Sequence, residues 1–461
     1  MEEEPLTPKK YDFGVTRRQF LGGGSALLAF AAMGGFSGLL AACGEADPTD
    51  EGAEPGEDFT GELGVLIGTH MDPIKQLLEQ HTANVGFAPN VEEVTSPDLR
   101  SKLTTSFLAQ SSPWDAVFVT ASLSPELSNR SWLTNAGPFM DERVRSEPDL
   151  LTRGMGAVEA GGETWAVPWT MGSQLLHWNK KLMEQAGLDP DAPLDWHSTP
   201  NSWDTFIEYG KAMTGERDGV QYYGYTDAWA DTHVLFTWGG LLHMHGGNFL
   251  DEEQQPAWNS EEGVEALQKL HDLLHVHKCI DPAVSTYTWV FDATPGFFDG
   301  TRGMFISWPF VAGVAAIPEA APGIAGHSAF APNPAVVTSG SVDGSEFFGV
   351  PVFAENKDEA WRLLDLISSR EGQRVVALGG WGSIYSGVLN EPDIVEAFPF
   401  YPALAKAYEY PVDGGWSEDR PRWTQMLSDE IHEVLAQRKS PKQALDDAAS
   451  AALEARRQDE A

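Results

Sequence analysis

Short apolar runs alternate along the chain with segments whose apolar residues recur every three or four positions. The runs GELGVLIGTH (61–70) and WDAVFVT (114–120) are short and apolar, so they predict buried strands. Leu99, Leu103 and Phe107 share one face of a helix predicted between those strands. Strands that alternate with helices in this way favour an α/β fold whose layers surround mostly parallel sheets.

Capping signals predict where further helices begin and end. Ser202 and Ser260 each precede a segment of helical periodicity and are expected to cap it. One long helix is predicted over 356–378, closed by Gly379 and Gly380. Two more helices are expected near the C-terminus, which continues the layered pattern to the end of the chain.

Residues 1–42 are expected to be a signal peptide rather than part of the fold. Arg17 and Arg18 precede a moderately apolar, glycine-rich run, which is the pattern of a twin-arginine (Tat) export signal. The run ends in LAACG and resembles the lipobox of bacterial lipoproteins, which implies that Cys43 is lipidated and becomes the new N-terminus. A buried N-terminal helix is the alternative interpretation of this run.

Residues 43–60 are acidic and lack apolar periodicity. A segment of this composition cannot bury enough apolar surface to fold, so a flexible acidic tether is expected. Signal and tether together predict an extracytoplasmic protein, anchored by its lipid to the outer face of the cytoplasmic membrane.

The charge of the chain argues against one large class of partner. Its 461 residues contain 30 Lys and Arg against 68 Asp and Glu, a net charge of −38. So acidic a surface repels phosphate backbones, and no nucleic-acid partner is expected. The acidity is compatible both with a salty medium and with an ordinary soluble extracytoplasmic protein. A disulfide between Cys43 and Cys279 is disfavoured because the two residues lie in different sequence contexts.

The sequence has no phosphate loop, zinc-ligand spacing or nucleophile elbow. His271 and His275 stand one helical turn apart and could ligate a metal. They fall on the polar side of a leucine stripe, however, which favours a solvated helix face. With 68 acidic residues, any pair of carboxylates could be proposed as a glycosidase site, so no pair is informative. We therefore expect a protein that is not an enzyme and uses no cofactor and no metal.

Aromatic residues in turns are the most informative feature. The chain contains 16 Trp residues, and indole faces suit sugar rings, which present an apolar C–H face and a polar rim. Trp203 and Trp361 lie on helix faces, where a ring more often belongs to a core. Rings in Gly- and Pro-rich turns at strand ends lie where open α/β sheets bind ligands. The candidates of this kind are Trp169, Trp308, Phe310, Trp381 and Trp416.

Several segments, in order, resemble one protein family. The stretch ETWAVPWTMGSQLLHWNKKLMEQAGLDP, followed by PNSWDTFIEYGKAMT, resembles a hallmark segment of the extracellular solute-binding proteins of ABC importers, carbohydrate-binding type. TWGGLLHMHGGNFLDE, FFDGTRGMFISWPF and FGVPVFAENKDEAWRLLDLISSREGQ resemble later segments of the same family. The resemblance extends over nearly all of the chain that follows the signal.

The resemblance implies two α/β lobes of the periplasmic-binding-protein type, joined by hinge strands that let the lobes close on a ligand. It implies that the chain crosses between the lobes near 165–170, 304–310 and 348–351. The expected segments are 61–167 plus 309–350 for the N-terminal lobe and 168–308 plus 351–461 for the C-terminal lobe.

The resemblance also implies a sugar or oligosaccharide ligand. Trp169 is expected to stack on it, so Trp169→Ala should weaken binding with little change in melting. His70 follows the first strand, and Thr120 and Ser122 follow the second, so these residues are expected to line the opposite wall. The complete expected set is Trp169, Trp308, Phe310, Trp381, Tyr385, Trp416, Trp423, Trp238, His70, Thr120 and Ser122.

The partners implied are the membrane permease subunits of an ABC importer, whose ATPase is a separate subunit. The receptor itself is expected to be a monomer. The alternatives are the same scaffold with a polyol or glycerophosphodiester, a secreted glycoside hydrolase that converts its sugar, and a chemosensory module that signals occupancy.

Overall fold

The computed structural model of the chain describes residues 62–85 and 89–460. The export arginines Arg17 and Arg18, the lipidation candidate Cys43 and the segment 43–60 lie outside these ranges. No helix within them is long and apolar enough to cross a membrane.

The strands of the described residues form two five-stranded sheets and one short hairpin. The two apolar runs predicted as buried strands form β1 and β3. In chain order the strands are β1 (Gly64–Gly68), β2 (Asn90–Val94), β3 (Ala116–Thr120), β4 (Glu159–Ala160), β5 (Glu163–Thr164), β6 (Val167–Thr170), β7 (Leu175–Asn179), β8 (Gly215–Arg217), β9 (Val220–Thr226), β10 (Arg302–Ser307), β11 (Ser328–Ala331) and β12 (Glu346–Gly349).

Helices separate most of these strands, as the sequence pattern predicts. In chain order the α-helices are α1 (Asp72–Val85), α2 (Ser96–Leu108), α3 (Ser124–Asn129), α4 (Gly137–Ser146), α5 (Lys180–Gln185), α6 (Ser202–Met213), α7 (Val234–Met244), α8 (Glu261–Asp272), α9 (Val290–Phe298), α10 (Phe310–Ala315), α11 (Lys357–Ser368), α12 (Arg370–Leu378), α13 (Pro392–Ala397), α14 (Tyr401–Ala407), α15 (Arg420–Leu435) and α16 (Pro441–Glu460). A 3₁₀ segment at Thr152–Val158 also borders the site described below.

Two predicted helix ends differ in the structure. Ser202 lies inside α6, and its hydroxyl donates to the carbonyl of Trp196 at 2.6 Å, so Asn201 occupies the N-cap position instead. The helix predicted over 356–378 is broken at Ser369, whose side chain accepts from the amide of Gly372 and caps α12. Ser260 caps α8 as predicted, because its side chain accepts from the amide of Gly263.

The two sheets differ in strand order and direction. The first has the order β2-β1-β3-β12-β6, in which β1 is parallel to β2 and β3 while β12 is antiparallel to β3 and β6. The second has the order β11-β7-β10-β9-β8, and β10 pairs with β7 antiparallel and with β9 parallel. We call each sheet with its helices the first and the second lobe.

The chain crosses between the lobes at 171–174, at 332–345 and after Val412, where it leaves the first core for α15. The first crossing adjoins the expected one at 165–170, and the second lies before β12 rather than near 348–351. The expected crossing near 304–310 was wrong, because β10 is hydrogen-bonded to two strands of the second sheet.

Several segments pack in the lobe opposite to the one expected, among them β11 and the helices α11 to α14. β11 lies within 309–350, yet it pairs with β7 in the second sheet. α11 lies within 351–461, yet its buried residues Leu363, Leu364 and Ile367 belong to the first core together with Phe118. Burying each such side chain contributes about 1.5–3 kcal/mol, so the apolar face of α11 determines its lobe.

Candidate ligand-binding cleft

His70, Trp169 and Trp381 meet at the carboxyl edge of the first sheet. The centroid of the His70 ring lies 5.4 Å from that of Trp381 and 6.4 Å from that of Trp169, and the two indoles are 5.2 Å apart. Trp381 is partly exposed, but Trp169 is 0% exposed and belongs to the first core. Trp169 therefore supports the other two rings in this conformation and presents no free face, contrary to the stacking role expected for it.

A carboxylate joins this cluster from β12. His70 Nε2 donates to Glu346 Oε2 at 2.9 Å. Burial acts to lower the pKa of His70, but the charge of Glu346 and its hydrogen bond outweigh burial, so the pKa is raised above 6.5. Thr120 is the register partner of Glu346, and its hydroxyl lies 3.1 Å from that of the exposed Ser122. His70, Thr120 and Ser122 thus lie along one sheet edge, and His70 is on the same side as Trp169 and Trp381 rather than on the wall opposite to them.

The first two crossing segments pack backbone against backbone between the lobes. The amide of Gly344 donates to the carbonyl of Gly172 at 2.8 Å, and Ser173 forms a bridge with Asp343. A Cβ at Gly344 would lie 2.5 Å from the Trp308 ring, so glycine is required for that ring to cover the crossing. These segments, 171–174 and 341–345, are called the cleft floor from here on.

Asp343 is a buried carboxylate on the cleft floor. Its side chain is 4% exposed, and its Oδ1 accepts from the Ser345 hydroxyl at 2.5 Å and from Tyr408 at 3.5 Å. Its Oδ2 is buried without a hydrogen-bond partner among the described residues. Burial raises the pKa of Asp343 to about 7, although the hydrogen bonds from Ser345 and Tyr408 oppose the shift. An unpaired buried oxygen of this kind costs about 1–3 kcal/mol unless another group hydrogen-bonds to it.

Trp416 and Arg420 form a stacked pair at the start of α15. The Arg420 Cζ lies 4.6 Å from the Trp416 centroid, within the range of a cation–π contact, and Arg420 Nε donates to the Gly414 carbonyl at 2.9 Å. Burial lowers the pKa of Arg420 to about 10, against the opposing charges of Asp413 and Asp343. Trp416 also reaches the first lobe, where its Cδ1 is 3.6 Å from the position of a Cβ at Gly156.

A cavity of about 440 Å³ opens between the lobes beside this pair. Its walls come from both lobes: Arg100, Glu126 and Arg130 from the first, and Glu418, Asp419, Pro421, Arg422 and Arg456 from the second. Ion pairs line both sides, because Arg100 donates to Glu126 at 2.7 Å and Arg456 to Asp419 at 2.6 Å. Arg420 and Trp416 do not line this cavity, although Asp419 and Pro421, the sequence neighbours of Arg420, do.

Three residues of the expected set lie inside the cores. Trp238 is 0% exposed and donates to the Gly263 carbonyl at 3.3 Å, and the Tyr385 hydroxyl donates to the Ser368 carbonyl at 2.6 Å. Trp423 is 1% exposed and donates to the Ser417 hydroxyl at 2.8 Å. Because their polar atoms are satisfied within the protein, we remove Trp238, Tyr385 and Trp423 from the ligand-contacting set.

Phe310 and Trp308 diverge although only Pro309 separates them. Trp308 packs edge-on against Phe236, with centroids 5.6 Å apart, and covers the cleft floor. Phe310 begins α10 and lies 5.1 Å from Phe291 beside a small separate core. Trp308 is therefore the ring of this pair that the structure brings to the crossing.

Glu346, Asp343 and Arg420 are the residues that sequence reasoning missed. The segment SVDGSEFF contains both acids just before β12, and polar residues next to a buried strand could have marked them. Arg420 begins α15, whereas Trp416 precedes the helix, so no helical spacing in the sequence indicated their contact. The meeting of these residues depends on crossings that the sequence did not locate.

The histidines considered as metal ligands have other contacts. His271 and His275 stack with centroids 4.8 Å apart, and His275 hydrogen-bonds to the Leu435 carbonyl at 2.7 Å. Across residues 62–85 and 89–460, no group of three or more His, Cys, Asp or Glu residues is arranged to hold a metal ion.

Curated relatives of the chain are distant in sequence. A "Probable amino-acid ABC transporter periplasmic-binding protein" of Sinorhizobium fredii is 26% identical over 283 residues, which cover 59% of this chain and 60% of that protein. An arabinooligosaccharide-binding protein of Halalkalibacterium halodurans is 26% identical over 141 residues, covering 31% and 27%. An erythritol/L-threitol-binding protein of Mycolicibacterium smegmatis is 23% identical over 385 residues, covering 74% and 76%. The chain thus spans less than two thirds of the first two relatives.

Solved structures share the architecture more closely than the sequence. Maltose-bound MalE3 of T. maritima superposes with a TM-score of 0.70 at 22% identity, covering 84% of this chain and 98% of that chain. A ribitol-bound ABC transporter solute-binding protein of Agrobacterium radiobacter K84 gives a TM-score of 0.67 at 20% identity, covering 84% and 97%. Both likenesses establish the two-lobed fold.

The family model for bacterial extracellular solute-binding proteins matches residues 68–374, a range that includes β12 and the first two crossings. This chain therefore belongs to the bacterial extracellular solute-binding protein family.

Proposed function

We propose that this protein is the receptor of an ABC importer and binds a sugar or polyol between its lobes. The observation that carries the proposal is the composition of the junction. Trp308, Trp381 and Trp416 are partly exposed there, beside the polar groups of Asp343 and Arg420. Indole faces offer the apolar C–H side of such a solute a stacking partner, while carboxylate and guanidinium groups suit its hydroxyls.

The named ligands of relatives support the same class. Arabinooligosaccharide and erythritol or L-threitol appear in the names of two relatives, and maltose and ribitol are bound in two similar structures. These molecules share neighbouring hydroxyl groups and carry no charge. A neutral ligand also agrees with a cleft in which arginines and carboxylates lie close to one another.

Intrinsic Trp fluorescence and thermal shift, measured on the purified full chain against maltose, ribitol, erythritol and arabinose, test the ligand class. A saturable signal, with the ligand recovered unchanged by mass spectrometry, is expected. Trp361→Phe is the control for the fluorescence signal. Trp361 packs on Phe139 in the first lobe, with ring centroids 5.6 Å apart, so its removal should leave the ligand-dependent change in place. Turnover of a sugar would contradict the receptor function and favour the glycoside hydrolase alternative. No change in fluorescence or melting with any of the four solutes would contradict the ligand class.

The membrane attachment is a second part of the proposal. Arg17 and Arg18 are proposed to direct Tat export, and Cys43 is proposed to carry the lipid that holds the receptor near its permease. Cys43→Ser should release the protein into the medium in a native host, whereas Arg17→Lys with Arg18→Lys should retain it inside. Membrane fractionation that places Cys43→Ser with the wild type would contradict the lipid anchor.

A further inference from the structure

Arg420 is a cation without an ion-pair partner. Within the part of the chain that the structure describes, the one hydrogen bond of its side chain is from Nε to the Gly414 carbonyl, and no carboxylate lies within ion-pair distance. The ring centroids of Trp416 and Trp423 lie 4.6 and 5.8 Å from its Cζ, so both indoles contact the guanidinium. Its terminal N–H groups are therefore donors without an acceptor among the described residues.

Asp343 is the complementary group. Its Oδ2 is a buried acceptor without a donor, and its charge reaches Arg420, whose pKa it helps to raise. The 3₁₀ segment Thr152–Val158 lies next to both groups. A Cβ at Gly154 would lie 3.3 Å from Asp343 Oδ1, and a Cβ at Gly156 would lie 3.6 Å from Trp416 Cδ1. A donor and an acceptor that do not satisfy each other thus lie under one strip of the first lobe.

We propose that Asp343 and Arg420 together recognise two neighbouring hydroxyl groups of the solute, with Asp343 Oδ2 accepting from one and Arg420 donating to the other. This inference rests on the proposed function and defines its ligand further as a neutral solute with hydroxyls on adjacent carbons. Trp416 then contacts the C–H face next to those hydroxyls. The pair couples the lobes, because Asp343 belongs to a crossing segment and Arg420 to a second-lobe helix.

Recognition by a carboxylate makes affinity depend on pH. Burial raises the pKa of Asp343 to about 7 in the free protein, and a hydroxyl that donates to the carboxylate favours its ionised form. The titratable and charged groups around Asp343 are Asp413 from the last crossing, Tyr408 after α14 and Arg420 on α15. Its own segment adds Glu346, which is paired with His70. Arg153, on the 3₁₀ segment that passes over Asp343, is exposed. The Kd should therefore weaken by up to about tenfold from pH 8 to pH 6.

The experiment measures Kd at pH 6, 7 and 8 by isothermal titration, using whichever of maltose, ribitol, erythritol and arabinose binds the full chain most tightly. Arg420→Met should weaken binding tenfold or more at each pH, and Arg420→Lys should recover only part of it because lysine lacks the planar fork. Asp343→Asn should weaken binding at pH 8 and abolish the pH dependence. Circular dichroism and melting verify that each variant is folded.

Two matched controls separate this pair from general effects. Asp227 is also a buried carboxylate, whose pKa burial raises to about 6, but its Oδ2 is satisfied by Tyr225 at 2.5 Å and Thr237 at 2.6 Å. Asp227→Asn should leave the pH dependence of Kd intact. Arg374, which pairs with Asp393 at 2.6 Å on the first lobe, serves as the arginine control through Arg374→Met.

A measurement on the wild type alone covers the case in which Asp343→Asn fails to fold. Titrations at pH 7 in two buffers of different ionisation enthalpy should detect release of up to about half a proton upon binding. Binding without proton release, or an unchanged Kd in folded Arg420→Met, would overturn the pair while leaving the receptor function in place. Failure of the wild type to bind any solute of the panel would overturn the ligand class itself.

Discussion

Trp416 and Trp423 stand close together in sequence and both contact Arg420, but the rest of their surroundings differ. Trp423 packs within 5.0 Å of Trp258 and 5.9 Å of Phe249, and its indole N–H is satisfied by Ser417. Trp416 is partly exposed, lies against Arg420, and reaches across to Gly156 of the first lobe. One ring completes a core while the other spans the junction between two cores.

The contrast teaches that the polar neighbours of a ring, more than the ring itself, mark a binding site. In the core cluster every hydrogen-bonding atom of Trp423 has a partner inside the same lobe. On the cleft floor, Asp343 Oδ2 is buried without a partner among the described residues. Unpaired buried atoms also occur inside the cores, as at Trp258 Nε1 beside Trp423, so it is the position of Asp343 between the lobes, together with its missing partner, that indicates a ligand.

The largest effect that tests this contrast is expected from Trp423→Ala. Removing a fully buried indole leaves a cavity and should lower the free energy of unfolding by about 3–5 kcal/mol. Urea denaturation measures the change, with Trp416→Ala as the partner variant. Equal losses in the two variants would show that Trp416 is a core residue as well.

Trp169→Ala should lower stability by about 3 kcal/mol and also weaken binding. The ring is fully buried, and it supports Trp381 and His70 from below, so its loss disturbs both. The melting temperature and the Kd, measured on the same preparation of the variant, show whether stability and affinity fall together. Weak binding with unchanged melting would restore the direct stacking role that the sequence suggested.

Trp416→Ala should weaken sugar or polyol binding about tenfold, or about 1.4 kcal/mol, with little change in melting. The reason is that Trp416 contributes a face to the junction and orients Arg420, but fills little of either core. Fluorescence titration measures the effect, and Trp361→Phe again provides the reference. An affinity equal to that of the wild type would remove Trp416 from the site.

The smallest effect is expected at His70 and Glu346. The pKa of His70 is raised in the folded protein, so the stabilisation is complete below pH 6.5 and is lost as the pH rises through the raised value. Glu346→Gln should flatten the dependence of melting on pH between about pH 6 and 8, by no more than about 1 kcal/mol. A Glu346→Gln curve that keeps the slope of the wild type would show that another group titrates.

Sequence reasoning predicted the α/β class and many local elements because these depend on short-range patterns. β1 and β3 were found from their apolar runs, and the cap of α8 from Ser260. His70 and Thr120 were expected in the site because they follow the first two apolar strands, and the structure places both at one edge of the first sheet. The break at Ser369 was missed because both halves of the segment share one apolar period.

Other features depend on which lobe a segment joins, and local pattern carries little information about that. β11 and α11 lie in lobes opposite to those expected, although α11 was correctly expected to be helical. The same limit applies to rings, because Trp238 and Trp308 both follow apolar segments, yet one is in a core and one covers the cleft floor.

The sequence by itself determined the family resemblance and the layered α/β class, because motifs and periodicity are local properties of the chain. Only the tertiary structure decided that Asp343 lies close enough for its charge to act on Arg420, and that Glu346 pairs with His70. It also decided that Trp423 is buried while Trp416 is partly exposed. These outcomes depend on three crossings between two separately packed cores, and the free energy that fixes them is the sum of many long-range contacts.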